Sequence, residues 1–225
     1  MMAELDDVTS ILEGWERGVA LVIRGHGGKA FCAGADLSLA REHLTTFEDG
    51  RLMCAFMTDV LTRIRRLPLI SVAAIEGAAV GGGAELTTCC DFRVAAVGTK
   101  IQFIQVKMGV STGWGGGARL VGIVGRRAAL RLLAWSPVVT AEEGVSMGLL
   151  DSVGETDGLG VEPMAELFLH PVLQQDAYRA VRSVKSLVAV ADDTPRSVRL
   201  AEKGAFSKVW GGKDNREVLE RDKKA

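Results

Sequence analysis

Apolar positions along this chain change their spacing several times, and the changes mark out alternating helices and strands. Leu5, Val8, Leu12 and Trp15 recur at helical spacing within Met1 to Trp15, predicting an amphipathic first helix with these four near one face. A short apolar run from Ala20 to Arg24 reads as a strand, and Phe47 to Arg66 returns to a helical pattern. Leu69 to Ile75 is the next strand, followed by a predicted helix over Gly82 to Cys90 and a strand over Asp91 to Ala96. Helices near Gly115 to Val124, Arg126 to Trp135 and Ala141 to Met147 come next, then a short strand at Leu150 to Val153. This alternation predicts α/β architecture. Glu155 to Gly160, acidic and glycine-containing, is the best boundary candidate, dividing a core over residues 1–154 from a second region over residues 155–225 that is largely helical from Val161 to Lys208.

Candidate chemistry enters where glycines interrupt the pattern. The run Gly77 to Leu86 holds Gly77, Gly81, Gly82 and Gly83 directly after a strand, and a helix-forming segment follows at once. Removing Cβ atoms there lets a ligand approach the main chain, and N–H groups at a helix start face negative charge. A tight strand-to-helix turn would use the same residues for geometry alone. Upstream, Lys29-Ala-Phe-Cys-Ala-Gly-Ala-Asp-Leu37 again places small residues after a strand. Two such loops can supply one N–H each, and a pair of N–H groups aimed at one oxygen stabilises an enolate or a tetrahedral intermediate.

Together these segments resemble the crotonase family, the enoyl-CoA hydratase/isomerase superfamily, whose hallmark pairs A-G-x-D with G-G-G-x-E. The likeness continues through Cys90 to Ala96, Lys107 to Leu120 and Thr140 to Leu150, most of the chain. It implies a ββα spiral core with a helical C-terminal oligomerisation region, trimers or hexamers built as dimers of trimers, and an acyl-CoA thioester as substrate. Carried over by position, Ala35 and Gly82 become the two oxyanion donors through their backbone N–H groups, with Gly81 beside them. Ala33 offers its carbonyl to the adenine of coenzyme A, and Asp36 caps or braces the following turn. Relatives begin earlier, with a strand and an asparagine-containing loop that helps bind coenzyme A; that strand is expected to be missing here.

The acid and base positions depart from the best-known relatives. Hydratases of the family use two glutamates to activate water; here the first is Glu85, and counting on without a gap places Gln105 at the second. A neutral amide orients a substrate but accepts no proton as a base does, so hydration by that route is not expected. Decarboxylation of a malonyl-type thioester needs no base, only stabilisation of charge on the thioester oxygen, with each donor contributing about 2.7 to 4 kcal/mol. A narrower likeness points the same way. Thr62 to Val72, Gly81 to Thr88, Cys90 to Arg93, Trp114-Gly-Gly and the late Val209-Trp-Gly-Gly212 are similar to a cytosolic metabolite-repair branch of the family that decarboxylates ethylmalonyl-CoA and, less well, methylmalonyl-CoA.

Glu85 is open to three roles: orienting the substrate carboxylate, returning the proton, or capping its own helix, where negative charge near the N-terminus is favourable. Burial beside a second anion would raise its pKa and favour the proton-donating form. Trp114 either lines the acyl pocket or packs as an ordinary core aromatic. Double-bond isomerisation, thioester hydrolysis with Glu85 as sole carboxylate, and a non-catalytic acyl-CoA-binding role are the alternatives to decarboxylation.

Composition then narrows the field. The 225 residues are 48% hydrophobic with formal charge -1, enough apolar content for a sizeable core and no global bias toward nucleic acid or membrane. Arg63, Arg65 and Arg66 form a basic cluster that reads as a solvated helix face ahead of a nucleic-acid site, with contact to the phosphates of coenzyme A as a further alternative. The four cysteines form no C-x-x-C pair and the three histidines are scattered, so no metal is expected. No cofactor is implied beyond the coenzyme A of the substrate itself. Reduced thiols fit a cytosolic compartment, with the pair Cys89 and Cys90 on the predicted helix. The longest apolar stretch, Leu69 to Cys90, is broken by Glu76 and Glu85, against a membrane span.

Overall fold

The chain alternates between two four-stranded sheets, giving each in turn one strand before a helix. The structure is a computed structural model that describes residues 1–156, 158, 160–175, 178–191, 210–212, 216 and 220. The first helix, α1 (Met2–Glu13), precedes β1 (Ala20–Arg24) and β2 (Ala30–Cys32), which lead into α2 (Leu37–His43) and α3 (Phe47–Arg66). The next repeat is β3 (Ile70–Ile75), β4 (Ala78–Val80) and α4 (Gly82–Thr87). The third is β5 (Phe92–Ala96), β6 (Lys100–Gln102), a short 3-10 turn at Gln105–Met108, and α5 (Gly116–Trp135). Then come β7 (Val139–Thr140), α6 (Ala141–Ser146), β8 (Ser152–Gly154), α7 (Glu162–Leu173) and α8 (Tyr178–Ala191). One sheet runs β1-β3-β5-β8, all parallel; the other runs β2-β4-β6-β7, with only β7 antiparallel. This is the expected ββα spiral.

The second sheet escaped the periodicity reading because its strands are two or three residues long, too short to show alternation. Gly77 turns the chain from one sheet to the other. Its φ is +71°, and a Cβ there would fall 2.2 Å from the Lys29 carbonyl oxygen, so the corner between β3 and β4 admits glycine alone.

Helix α3 has the same bounds as predicted because it carries both signals a helix needs. Thr46 and Asp49 form a capping box, and Met57, Val60, Leu61 and Ile64 bury one face. Helix α1 turns a different face inward from the one expected: Met2, Leu5, Thr9 and Leu12 are covered, whereas Val8 and Trp15 are exposed. An arginine decides this rotation. Arg63 on α3, partly exposed but paired, donates to Asp6, Ser10 and Glu13 along the side of α1 away from Val8. Helix α4 ends at Thr87, leaving Cys89 and Cys90 in the turn that follows rather than on the helix, both fully buried.

Helix α7 covers the outer face of the parallel sheet, with Val161, Ala165 and Leu169 against Val72, Ala74 and Val94. Helix α8 is anchored by a buried lysine. Lys185, 4% exposed, pairs with Asp91 and donates to the Arg65 carbonyl at 2.8 Å. Residues 192–208 of the predicted helical tail, Val209 of the late motif, and positions 157 and 159 of the boundary candidate lie outside the described residues. Among the described residues, no helix is long and apolar enough to cross a membrane.

Candidate active site

Both glycine-containing loops end at the same place. The β2–α2 loop and the β4–α4 junction meet with backbone against backbone: a Cβ at Gly34 would fall 2.9 Å from the Gly82 nitrogen, and one at Gly83 only 2.0 Å from the Cys32 carbonyl oxygen. Gly34 also has φ +90°, so glycine is required there twice over. Neither the Ala35 nor the Gly82 N–H makes a hydrogen bond to any described residue. Helix α4 is only six residues long, so these are individual peptide donors rather than the end of a long dipole.

A cavity of about 200 Å3 opens on this junction. Seven of the eight residues singled out from the sequence line it: Ala33, Ala35, Gly81, Gly82, Glu85, Gln105 and Trp114. Asp36 does not. Its Oδ1 accepts from the Ser38 and Leu39 N–H groups at 2.8 and 3.1 Å, making it the N-cap of α2 and steering the chain away from the loop.

Glu85 is 2% exposed and fully engaged. Its Oε2 accepts from the N–H groups of Trp114 at 2.8 Å and Gly116 at 2.9 Å; its Oε1 accepts from Gln105 Nε2 at 2.7 Å and the Gly113 N–H at 3.3 Å. The carboxylate therefore caps the start of α5, not the helix that carries it. Three of these partners are backbone N–H groups, which only donate, and the start of α5 favours negative charge. Donors to the charged form stabilise it, so the geometry holds Glu85 as a carboxylate. The same donors settle the Gln105 amide: its NH2 must face Glu85, which leaves its buried Oε1 without a partner. Close packing makes the arrangement rigid, since a Cβ at Gly116 would fall 2.5 Å from Glu85 Cγ.

Trp114 is a core residue and a wall residue at once. Its indole lies against Gly82, where a Cβ would meet the ring at 2.7 Å, and it belongs to the main hydrophobic cluster. Arg119 holds the segment from behind, donating to the Trp114 carbonyl at 2.7 Å and to Thr88 Oγ1 at 3.0 Å. Arg119 stands in a quoted motif, but nothing local indicates that it reaches back five residues. Trp210 is the other residue that sequence reasoning did not place: it lines the same cavity from the far end of the chain.

Cys89 and Cys90 are both fully buried, and the hydrogen bond between them holds the Cys89 thiol below its ordinary range. A hydrogen bond with Cys89 and then burial push the Cys90 thiol well above its ordinary range. Among the described residues, no three His, Cys, Asp or Glu side chains come together as a metal site.

Two layers of spiralling ββα units, with a cavity where glycine loops converge, are the crotonase type of fold. Residues 1–223 match the sequence model of the enoyl-CoA hydratase/isomerase family, and the chain belongs to that family. It is 42% identical over 226 residues to the ethylmalonyl-CoA decarboxylase of Gallus gallus, covering 100% of this chain and 75% of that protein. The ethylmalonyl-CoA decarboxylase of Danio rerio is 42% identical over 225 residues, covering 97% and 72%. Among solved structures, an enoyl-CoA hydratase from Bacillus anthracis superposes with a TM-score of 0.79 at 28% identity, covering 99% of this chain and 85% of that one. An enoyl-CoA hydratase/isomerase from Mycobacterium paratuberculosis shares the fold, with a TM-score of 0.86 at 21% identity, covering 98% and 86%.

Proposed function

We propose that this protein decarboxylates ethylmalonyl-CoA, and less well methylmalonyl-CoA, to butyryl-CoA and propionyl-CoA. The observation that carries the reading is the pair of unengaged N–H groups, Ala35 and Gly82, on two loops packed backbone to backbone beside a carboxylate that has no acceptor capacity to spare. The likeness to named decarboxylases supports it.

The thioester oxygen is received by the Ala35 and Gly82 N–H groups. The bond between the α-carbon and the carboxylate carbon breaks; its electron pair becomes the C=C of the enolate, and the carbonyl π pair moves onto the oxygen between the two donors. Carbon dioxide leaves. The α-carbon then takes a proton from water, and the hydroxide left behind is neutralised by carbon dioxide or by solvent acid. Each donor contributes about 2.7 to 4 kcal/mol to lowering the barrier because it is already oriented when the charge arrives.

Glu85 positions rather than transfers. It fixes Gly113 to Gly116 and thereby presses Trp114 against Gly82, excluding water from the side of the enolate. Gln105 adds no charge to the cavity and holds the Glu85 carboxylate through its Nε2. Ala33 presents its carbonyl to the adenine of coenzyme A.

We further propose a homotrimer, alone or paired into a hexamer, in the cytosol. Val184, Leu187 and Val188 expose an apolar stripe on α8 at helical spacing, which supports association through that face.

Purified protein incubated with ethylmalonyl-CoA, followed by mass spectrometry, tests the reading, with crotonyl-CoA as a parallel hydration control. Butyryl-CoA forms and crotonyl-CoA is left unhydrated. Hydration of crotonyl-CoA without butyryl-CoA from ethylmalonyl-CoA would overturn it, as would a folded protein that turns over neither.

A further inference from the structure

We propose that Trp210 sets the length of alkyl substituent this site accepts on the α-carbon, so that the substrates are short-branched malonyl thioesters. The inference rests on the decarboxylase reading for its substrate class, though not for the cavity it describes.

Trp210 is 8% exposed and lines the cavity that also holds Ala35, Gly82 and Glu85. Three independent contacts fix its ring. The indole Nε1–H donates to the Leu44 carbonyl at 3.1 Å, just past α2. The ring lies on Gly50 of α3, where a Cβ would fall 2.0 Å from Cδ1. Buried Ala40, Met53 and Cys54 pack around it, with Val110 against them. Gly211, at φ +66°, then turns the chain beside the Thr45 carbonyl, so the tryptophan is delivered to this spot by a glycine turn.

The cavity thus lies between two hydrophobic clusters with a tryptophan in each. Trp114, in the main core, touches Gly82 at the reacting centre; Trp210, in the smaller cluster, stands with Ala40, Met53 and Val110. A thioester held by its oxygen at Ala35 and Gly82 has its α-carbon beside Trp114, and an alkyl group extending from that carbon can run along the apolar lining toward the wall of the smaller cluster. Tryptophan is the largest side chain available and is pinned at both its edge and its face, so it is a fixed stop rather than a compliant one. Glycine at position 50 has the same logic: any larger residue would drive the indole into the cavity.

The test compares wild type with Trp210→Ala, Trp210→Phe and Gly50→Ala. Decarboxylation of methyl-, ethyl-, propyl- and butylmalonyl-CoA is followed, and Kd values for butyryl-, hexanoyl- and octanoyl-CoA are measured by calorimetry. Wild type is expected to fall away sharply from ethyl to butyl. Trp210→Ala should raise the butyl-to-ethyl ratio of kcat/KM about tenfold or more, and should tighten hexanoyl-CoA relative to butyryl-CoA by roughly fourfold per methylene newly accommodated. Trp210→Phe should fall between. Gly50→Ala should shift preference the other way, toward methylmalonyl-CoA. If Trp210→Ala does not fold, Trp210→Phe decides, because it moves the stop by a smaller step and introduces no clash. Unchanged chain-length profiles in folded variants would overturn the inference while leaving the decarboxylase reading intact. Shifted calorimetric profiles with no decarboxylation by any protein would overturn the decarboxylase reading and leave Trp210 as the chain-length stop.

Discussion

Gln105 Nε2 lies 2.7 Å from Glu85 Oε1, so the two positions twenty residues apart in sequence form one charged-to-neutral hydrogen bond in the cavity wall. The pair carries a single negative charge. Replacing Gln105 with glutamate would set two carboxylates at that separation; with both ionised the cavity gains a second negative charge, which mutual repulsion makes the first to be protonated as the pH falls. Gln105→Glu is expected to cut decarboxylation at least tenfold at neutral pH, with partial recovery as the pH falls and the pair gains a proton. A pH profile of kcat against wild type checks this; a flat ratio would show that the amide is not needed for its neutrality.

Glu85→Gln keeps one oxygen and puts an amide NH2 in place of the other, against the Trp114 and Gly116 N–H groups in one orientation or the Gly113 N–H in the other, none of which can turn to accept it. Each frustrated buried donor costs about 1 to 3 kcal/mol. The variant should melt earlier and lose kcat far more than affinity for butyryl-CoA. Equal catalytic rates in the two proteins would remove Glu85 from the mechanism.

Gly34→Ala adds a Cβ 2.9 Å from the Gly82 nitrogen at a residue with φ +90°. The loops must separate, and with them the two N–H donors. Activity should drop on the order of a hundredfold, the effect of losing one oxyanion donor, with circular dichroism unchanged.

Lys185→Met removes one member of a buried ion pair and leaves Asp91 partly uncompensated, although Ser71 still donates to it through its N–H at 2.7 Å and its hydroxyl at 2.9 Å. Breaking such pairs costs about 3 to 5 kcal/mol. Denaturant unfolding should show a loss of that order, and Asp91→Asn in the same chain should restore part of it.

A hydrogen bond from Arg63 holds the Glu13 carboxyl below its ordinary range. A carboxyl lowered on folding stabilises the protein above its unfolded pKa and loses that contribution as pH falls through the folded value. Glu13→Gln should therefore lower Tm slightly at neutral pH and make no difference in acid. The neutral-pH effect should shrink in salt, because both side chains are partly exposed.

How much of this was legible in the chain depends on the distance over which each feature is determined. Ala20–Arg24 and Phe47–Arg66 were readable to the residue, because period, cap and apolar face are local. So was the break at Gly125, which separates the two predicted halves of α5 with φ +76°. The second sheet was not, since strands of two or three residues acquire their identity from neighbours rather than from their own pattern.

By itself, the sequence determined the α/β alternation, the family, and the small residues that let two loops approach one ligand, because each of these is written in contiguous stretches. Only the tertiary structure decided what those stretches do to one another. Glu85 caps α5 because the spiral brings residues 113–116 over it, and α1 turns Val8 outward because Arg63 claims its other face. Trp210 reaches a carbonyl 166 positions earlier. Such contacts depend on which helix faces the packing of two sheets leaves open, and no local pattern carries that information.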